Sequence, residues 1–229
     1  MSSSSKVDHK RISRLLHFTN SYLPGDAADK YSHHLSQIQR HNSQLNLVAD
    51  CNAKTLLHRH LLDSIIGLRV LDLLASGLNG SLSVVEVGSG GGFPGLVLAV
   101  ARPHWSFRLI DSAGKKVGFL LKAMQKMKIE NTKIVKSRAE NLRAAESYHD
   151  VCVARAVAPV NQLLKITCHL VNVGGFFVWW KGRGVNKEIR EAHESLQKFG
   201  VKVIGRYPYR LPHDDINRSL MVAQKLKRY

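Results

Sequence analysis

Four of the five residues from Gly88 to Gly92 are glycine, in the stretch VVEVGSGGGFPG that runs from Val84 to Gly95 behind a β-branched apolar segment. A plain tight turn needs one or two such residues. Four of them carry a conformational cost that suits a loop whose backbone must come up against a ligand. A dinucleotide fingerprint, G-x-G-x-x-G, starting at Gly88 and Gly90 would place its third glycine at position 93, which holds Phe93 instead. Three acids accompany the loop. Glu86 precedes it, Asp111 closes FRLID and Glu140 lies in SRAE, so one carboxylate stands at or near the exit of each of three successive apolar runs. Asp111 is placed to accept the hydroxyls of an adenosine ribose. Each acid taken alone reads as a helix cap or a surface charge. Together they meet the requirement of an S-adenosylmethionine pocket, with Gly88, Gly90 and Asp111 as contacts and Glu140 near the adenine.

Other reactive residue types do not assemble. Cys51, Cys152 and Cys168 fit neither a disulfide framework nor a zinc spacing and read as reduced, mostly buried thiols. His58 and His60 are two apart, so on a helix they face different sides, and no metal site is expected. His60 and Asp63, three apart, share a face and suit packing of a helix on a sheet. The pair Trp179 and Trp180 could stack on bases, but in a central strand at least one of them must point into packing, so core is expected.

The elements that must hold the loop follow from periodicity. Residues 8 to 78 read as helical, with Tyr31, Leu35, Ile38 and Leu45 near one face and a second stripe through Leu57, Leu61, Ile65, Leu68 and Leu71. From Ser81 the texture becomes short β-branched runs, LSVVEV, FRLI, TKIV, DVCVA, GGFFVWW, VKVIGRY and SLMVAQKL. Helices are expected between them at 95–101, 114–127, 139–144, 160–170 and 186–199. This alternation predicts an α/β, doubly wound, Rossmann-like sheet of mostly parallel strands. Only PYRLPHDDINR separates the last two strands, too short for a crossover helix, so the last strand is expected to be antiparallel. The expected organisation is a helical extension over residues 1–80 and a cofactor-binding unit over 81–229.

Charge narrows the partner. The 229 residues carry 34 basic and 17 acidic side chains, a net +17. Between Gly114 and Arg138 eight basic residues face Glu130 alone. One such cluster is commonly a solvated face, but an excess over the whole chain favours nucleic acid. No stretch approaches the roughly 20 apolar residues that cross a bilayer. The start MSSSSKVDHKRISRLL has no apolar segment of a secretory signal, so the cytoplasm is the expected location.

Taken with these motifs, the chain resembles the bacterial 16S ribosomal RNA guanine-N7 methyltransferase G family, formerly called glucose-inhibited division protein B. The likeness is carried by NL at Asn46 and Leu47, HLLDS at His60 to Ser64, VGSGGGFPG, LIDSAGKKVGFL, SRAE, ARAVAP and KG at Lys181 and Gly182. It implies a class I methyltransferase fold, S-adenosylmethionine as cofactor, and a monomer acting on small-subunit ribosomal RNA or a 30S-type particle. It also implies cofactor contacts at Gly88, Phe93, Ala139, Glu140 and Arg155. Departures stand at His41, Val48 and Glu86, where the family usually has Trp, Thr and often Asp. Methylation of guanine N7 uses a lone pair that carries no proton, so no general base is expected, and Arg155 and Lys181 become the candidates for positioning the target. Each also reads as a structural ion pair. Competing readings are a methyltransferase on a small molecule or protein, a non-catalytic RNA-binding factor, and an NAD-dependent oxidoreductase, the last opposed by Phe93.

Overall fold

The computed structural model describes residues 7, 9–17, 22–142, 148–212 and 214–228. Seven strands form one sheet: β1 (Ser83–Val87), β2 (Ser106–Asp111), β3 (Thr132–Lys136), β4 (His149–Arg155), β5 (Val171–Lys181), β6 (Val201–Tyr209) and β7 (Arg218–Lys225). Their order is β3-β2-β1-β4-β5-β7-β6. The first five pair in parallel, and β7 runs antiparallel to both β5 and β6. The antiparallel last strand is as expected, but it lies inside the sheet and leaves β6 at the edge. Residue types account for this. β7 buries five consecutive positions, Ser219 to Ala223, whereas β6 alternates buried or half-buried Val201, Val203 and Gly205 with exposed Lys202, Ile204 and Arg206. A strand apolar on both faces belongs in the middle.

The chain enters at β1, steps outward to β3, then returns to β4 beside β1. The two halves therefore diverge between β1 and β4, the switch point where open α/β sheets bind ligands beyond the strand carboxyl ends. The crossover helices are α6 (Gly95–Ala101), α7 (Gly114–Lys126), α8 (Val160–Thr167), α9 (Val185–Glu191) and α10 (His193–Lys198). Of the helix expected at 139–144, a 3-10 turn forms at Ala139–Asn141, and residues 143 and 144 lie outside the described residues. The helix expected at 186–199 is divided at Ala192 into α9 and α10.

Before the sheet come α1 (His9–His17), α2 (Ala27–Leu45), α3 (Ala53–Thr55), a π-helix at Leu56–Leu62, α4 (Asp63–Ile66) and α5 (Leu68–Ser76). The apolar positions of both predicted stripes are buried except Leu45, which is half-buried. The π-helix was not anticipated: its closing N–H, on Asp63, reaches back five residues to the carbonyl of His58. These helices share one core with α6, α7 and one face of the sheet, while α8 to α10 cover the other face. Trp180 belongs to the first core and Trp179 to the second, as alternation along a strand requires, and both are buried. Among the described residues no helix is long and apolar enough to cross a membrane.

The junction of helix and sheet is tight at Gly67, where a Cβ would collide with the benzo ring of Trp180, while the indole N–H donates to the Asp63 carbonyl at 2.8 Å. Gly67→Ala is expected to cost about 1–3 kcal/mol, the usual range for overpacking a filled core. Urea unfolding measures this, and Trp180→Phe in the same chain should recover part of the loss. Equal stability of Gly67→Ala and the parent protein would count against the packing described.

Candidate functional site

The glycine loop leaves β1 and is folded back by its own backbone. Gly88 and Ser89 donate to the carbonyl of Ile110, at 2.9 and 3.1 Å, and Gly92 donates to Ser89 at 2.7 Å. Gly88, Gly90 and Gly92 adopt φ of 73°, 51° and 89°, the left-handed region that side chains avoid, so these three glycines are conformational necessities. Pro94 stands at the N-cap of α6, after a cis bond to Phe93.

Two carboxylates anchor this turn. Glu86 is buried, its Oε1 accepts the Gly95 N–H at 2.9 Å, and its Oε2 has no hydrogen-bond partner among the described residues. A Cβ on Gly95 would run into that carboxyl group and into Leu109. Burial pushes the Glu86 carboxyl up to about 7, against the Ser89 hydroxyl and the Gly95 N–H, which favour ionisation. Asp111, at the carboxyl end of β2, accepts from Gly90 N–H through Oδ2 and from Ala113 N–H through Oδ1, both at 2.8 Å. Each oxygen keeps a lone pair for a second donor.

Aromatic and cationic groups close the loop from the helical side. Phe93 is buried between the rings of His34 and His60, with centroids 5.3 and 5.0 Å away, and the Arg155 guanidinium lies 5.5 Å from its centroid. Neither ring nitrogen of His34 has a hydrogen-bond partner among the described residues, and burial draws that imidazole down to about 4. Burial, and then the Arg155 cation, draw His60 down to about 3. Both rings are therefore neutral at pH 7.

Arg155 ends β4 and reaches across to the π-helix. Its Nη1 donates to the Arg59 carbonyl and to Asp63 Oδ2, both at 2.9 Å, and its Nη2 meets His60 Nδ1 at 2.9 Å. Nδ1 must then be the unprotonated nitrogen of His60. A guanidinium has five N–H groups, so Nε and one on Nη2 are left for other acceptors. Asp63 also accepts the Tyr209 hydroxyl at 2.6 Å and lies 3.8 Å from Arg218. The shared face expected of His60 and Asp63 is therefore real, and both side chains converge on Arg155.

The second candidate cation goes elsewhere. Arg155 pairs in register with Trp180, so Lys181, the next residue, projects from the other face of the sheet. Its ammonium donates to the Ala158 carbonyl at 2.8 Å and to Glu188 Oε2 at 2.7 Å, and Glu188 in turn accepts the N–H of Val160 at 3.1 Å. Lys181 thereby fixes the loop after β4, in which Ala156 has a φ of 56° and Val157 occupies the space a Gly88 side chain would need. Glu188 and this clamp were not found from sequence. A carboxylate seven residues beyond a basic strand end was the available signal, and it is a weak one.

Of the remaining candidates, Ala139 belongs to the second core, its carbonyl 3.0 Å from His169 Nε2, and Glu140 is exposed after β3. The structure brings Glu86, Gly88, Gly90, Phe93, Asp111 and Arg155 to one end of the sheet around the switch point. Cys152 and Cys168 are buried and Cys51 half-buried, all three free thiols. Among the described residues no group of three or more His, Cys, Asp or Glu could hold a metal ion.

A strand order of 3-2-1-4-5-7-6 with a glycine loop after β1 and an acid ending β2 defines a class I methyltransferase fold. Solved structures agree: the chain superposes on a ribosomal protein L11 methylase from Lactobacillus delbrueckii subsp. bulgaricus with a TM-score of 0.53, at 16% identity over 76% of this chain and 80% of that one. M. jannaschii TYW2, solved in complex with AdoMet, gives a TM-score of 0.52 at 15% identity, covering 65% and 70%. Sequence is more specific. The family profile described as "rRNA small subunit methyltransferase G" matches residues 27–206. Proteins named ribosomal RNA small subunit methyltransferase G are similar over most of their length: that of Alkaliphilus metalliredigens is 34% identical over 81% of this chain and 77% of its own length, and that of Thermotoga neapolitana 35% over 82% and 79%. The chain belongs to the rRNA small subunit methyltransferase G family.

The buried Glu86 makes a pH-dependent contribution to stability. Its folded value, about 7, lies above its ordinary 4.5, so its contribution is complete below pH 4.5 and is lost as pH rises through about 7. His34 works in the opposite sense, contributing above its ordinary 6.5 and losing that as pH falls through about 4. Each pH unit separating the folded value from the ordinary one is worth about 1.4 kcal/mol, so Glu86 accounts for about 2–3 kcal/mol between pH 5 and 8. Glu86→Gln, which keeps an acceptor for Gly95, should therefore gain about that much on the parent protein over this interval in denaturant unfolding. Parallel profiles would show that the carboxyl group titrates at the same pH in the folded and unfolded chain, so that burial does not shift it.

Proposed function

We propose that this chain transfers a methyl group from S-adenosylmethionine to N7 of one guanine in 16S ribosomal RNA. The observation that carries this is the glycine loop set between the Glu86 and Asp111 carboxylates at the switch point, in a chain of this family. The residues suit the cofactor. The Asp111 oxygens are already oriented by backbone donors and have lone pairs to spare for ribose hydroxyls. Gly88 and Gly90 bring backbone to the strand ends, and Ala139 and Glu140 follow β3 on the expected adenine side. In this reading residues 1–80 are the helical extension, 81–229 the cofactor-binding unit, and the protein works as a cytoplasmic monomer.

When bound, the cofactor supplies an electrophilic methyl group on a sulfonium. N7 presents a lone pair, so the protein needs no base and its contribution is alignment and exclusion of water, which can be worth about 7–11 kcal/mol. Arg155 is suited to hold the target: its orientation is fixed by Asp63, Arg59 and His60, and its remaining N–H groups can donate to guanine O6 or a phosphate while leaving N7 free. Lys181 acts at one remove, by fixing the loop that carries Val157. RNA accounts for the net +17, and an unpaired or loop guanine is the accessible form, because the A-form major groove hides N7.

The direct test is methyl transfer from labelled S-adenosylmethionine to small subunits from a strain lacking this protein, followed by nucleoside mass spectrometry. Recovery of 7-methylguanosine is expected; cofactor binding without transfer to RNA would redirect the activity to another acceptor. Asp111→Ala should weaken cofactor affinity at least tenfold in calorimetric titration, and undiminished affinity would remove Asp111 from the pocket. Lys115 and Lys116 open α7 on the basic segment, and Lys115→Gln with Lys116→Gln should lower the salt dependence of RNA association by about one unit of slope. A slope equal to that of the parent chain would exclude this segment from docking.

A further inference from the structure

At the carboxyl ends of β5 and β6, where β7 begins, lies a groove of about 540 Å³ lined by Arg183, Arg206, Arg210 and Arg218 and, among the described residues, by no carboxylate. Arg218 is neutralised by Asp214, at 2.7 Å, and approaches Asp63. The other three are exposed, and among the described residues none is within ion-pair distance of an acid. Their guanidinium groups are oriented by neutral acceptors: Arg183 donates to the Asp215 carbonyl at 3.0 Å and Arg210 to Asn217 Oδ1 at 2.6 Å, while Arg206 lies 3.5 Å from Ser219 Oγ. Each guanidinium keeps most of its donors. Three like charges converging on one groove without counter-ions cost the free protein repulsion, and an anionic ligand relieves it.

The floor of the groove points the same way. Gly182 does not adopt a positive φ, and a Cβ there would meet nothing within 4 Å. Neither backbone conformation nor internal packing requires glycine at this position, whereas close approach of a ligand to the backbone would. The groove also communicates with the site. Tyr209 and Arg218 line it and both reach Asp63, which holds Arg155 over Phe93 of the glycine loop.

We propose that this groove binds consecutive backbone phosphates of a single-stranded RNA segment next to the target base, and so sets the register in which a guanine is offered at Arg155. The inference rests on the RNA-methyltransferase reading and deepens it by assigning where the strand lies. Spaced guanidinium groups suit a phosphodiester chain, because each can donate two parallel hydrogen bonds to one phosphate.

The test compares the full-length protein with Arg183→Gln/Arg206→Gln/Arg210→Gln. A control, Lys198→Gln/Lys202→Gln/Arg228→Gln, removes the same charge from the end of α10, the start of β6 and the segment after β7, away from the groove. The probe is 16S RNA from a strain lacking the protein. Anisotropy over a salt series gives the slope of log K against log salt, and methyl-transfer kinetics separate KM from kcat. The groove variant should lose about 2 units of slope, since each single-strand phosphate contact contributes about 0.7. Its KM for RNA should rise at least tenfold, with kcat at saturating RNA and cofactor affinity unchanged. The control should lose no more than a fraction of that slope. An unchanged slope and KM in a groove variant that still binds cofactor would overturn the proposal, as would an equal fall in the control. The two readings fail separately: a parent protein that methylates RNA while the groove variant matches it sinks the groove alone, and loss of slope in the groove variant when the parent protein transfers no methyl group to RNA leaves the groove standing and sinks the reaction.

Discussion

The buried contact between Arg155 and Asp63 is the constraint on which the rest of the site depends. Both side chains are largely enclosed, at 14% and 5% exposure, and a charge taken out of water at that depth is stable only when paired and hydrogen-bonded. The pair is not isolated. Arg155 comes from the end of β4, Asp63 from the start of α4, and Tyr209 and Arg218 add groups from β6 and β7. One carboxylate thus ties the helical layer to three strands of the sheet. The π-helix is what delivers it. Its wider turn places Asp63 beside His60 and turns the Arg59 carbonyl toward the same guanidinium, so three successive contacts to Arg155 come from five residues.

From that anchor the glycine loop acquires its shape on both sides. Phe93 is held between two imidazoles that burial keeps neutral, so the loop is backed by flat, uncharged rings, with Arg155 the cation against it. Beneath it, Glu86 accepts a backbone N–H from within the core, and Asp111 does the same from the next strand. A loop of four glycines would otherwise sample many conformations, and fixing each residue costs about 1–2 kcal/mol of backbone entropy. The two carboxylates and the aromatic cage offset that cost, leaving one defined surface toward the switch point.

How much of this could be read beforehand depends on the range of the interaction. The loop, the acids at the strand exits and the burial of Trp179 and Trp180 follow from periods of two and 3.6 and from glycine chemistry, all local. The placement of β7 was also legible in principle, since SLMVAQKL is apolar on both faces and VKVIGRY alternates, yet the antiparallel pairing of the hairpin alone leaves open which strand joins β5. The π-helix was not legible. Leu57, Leu61, Ile65, Leu68 and Leu71 fit a regular helical stripe, and the extra residue per turn shows only in the bond from Asp63 to His58. The partners of Arg155 and Lys181 were equally hidden, because Asp63 is 92 residues from the one and Glu188 belongs to a helix whose packing no local pattern fixes.

The two cations illustrate a division of labour suited to a reaction without proton transfer. Arg155 and Lys181 end neighbouring strands, but pleating sends them to opposite faces. One keeps unused donors near the glycine loop, and the other spends its charge on Ala158 and Glu188. In the proposed transfer to guanine N7 nothing needs to titrate, and rate depends on how narrowly the acceptor is held. A lysine that clamps the loop bearing Val157 can then matter without touching the base, because Val157 occupies the space beside Gly88. The strained Ala156, at a φ of 56°, leads into a segment that is held at Ala158 by Lys181 and at the start of α8 by Glu188, the two clamps being joined through that one glutamate.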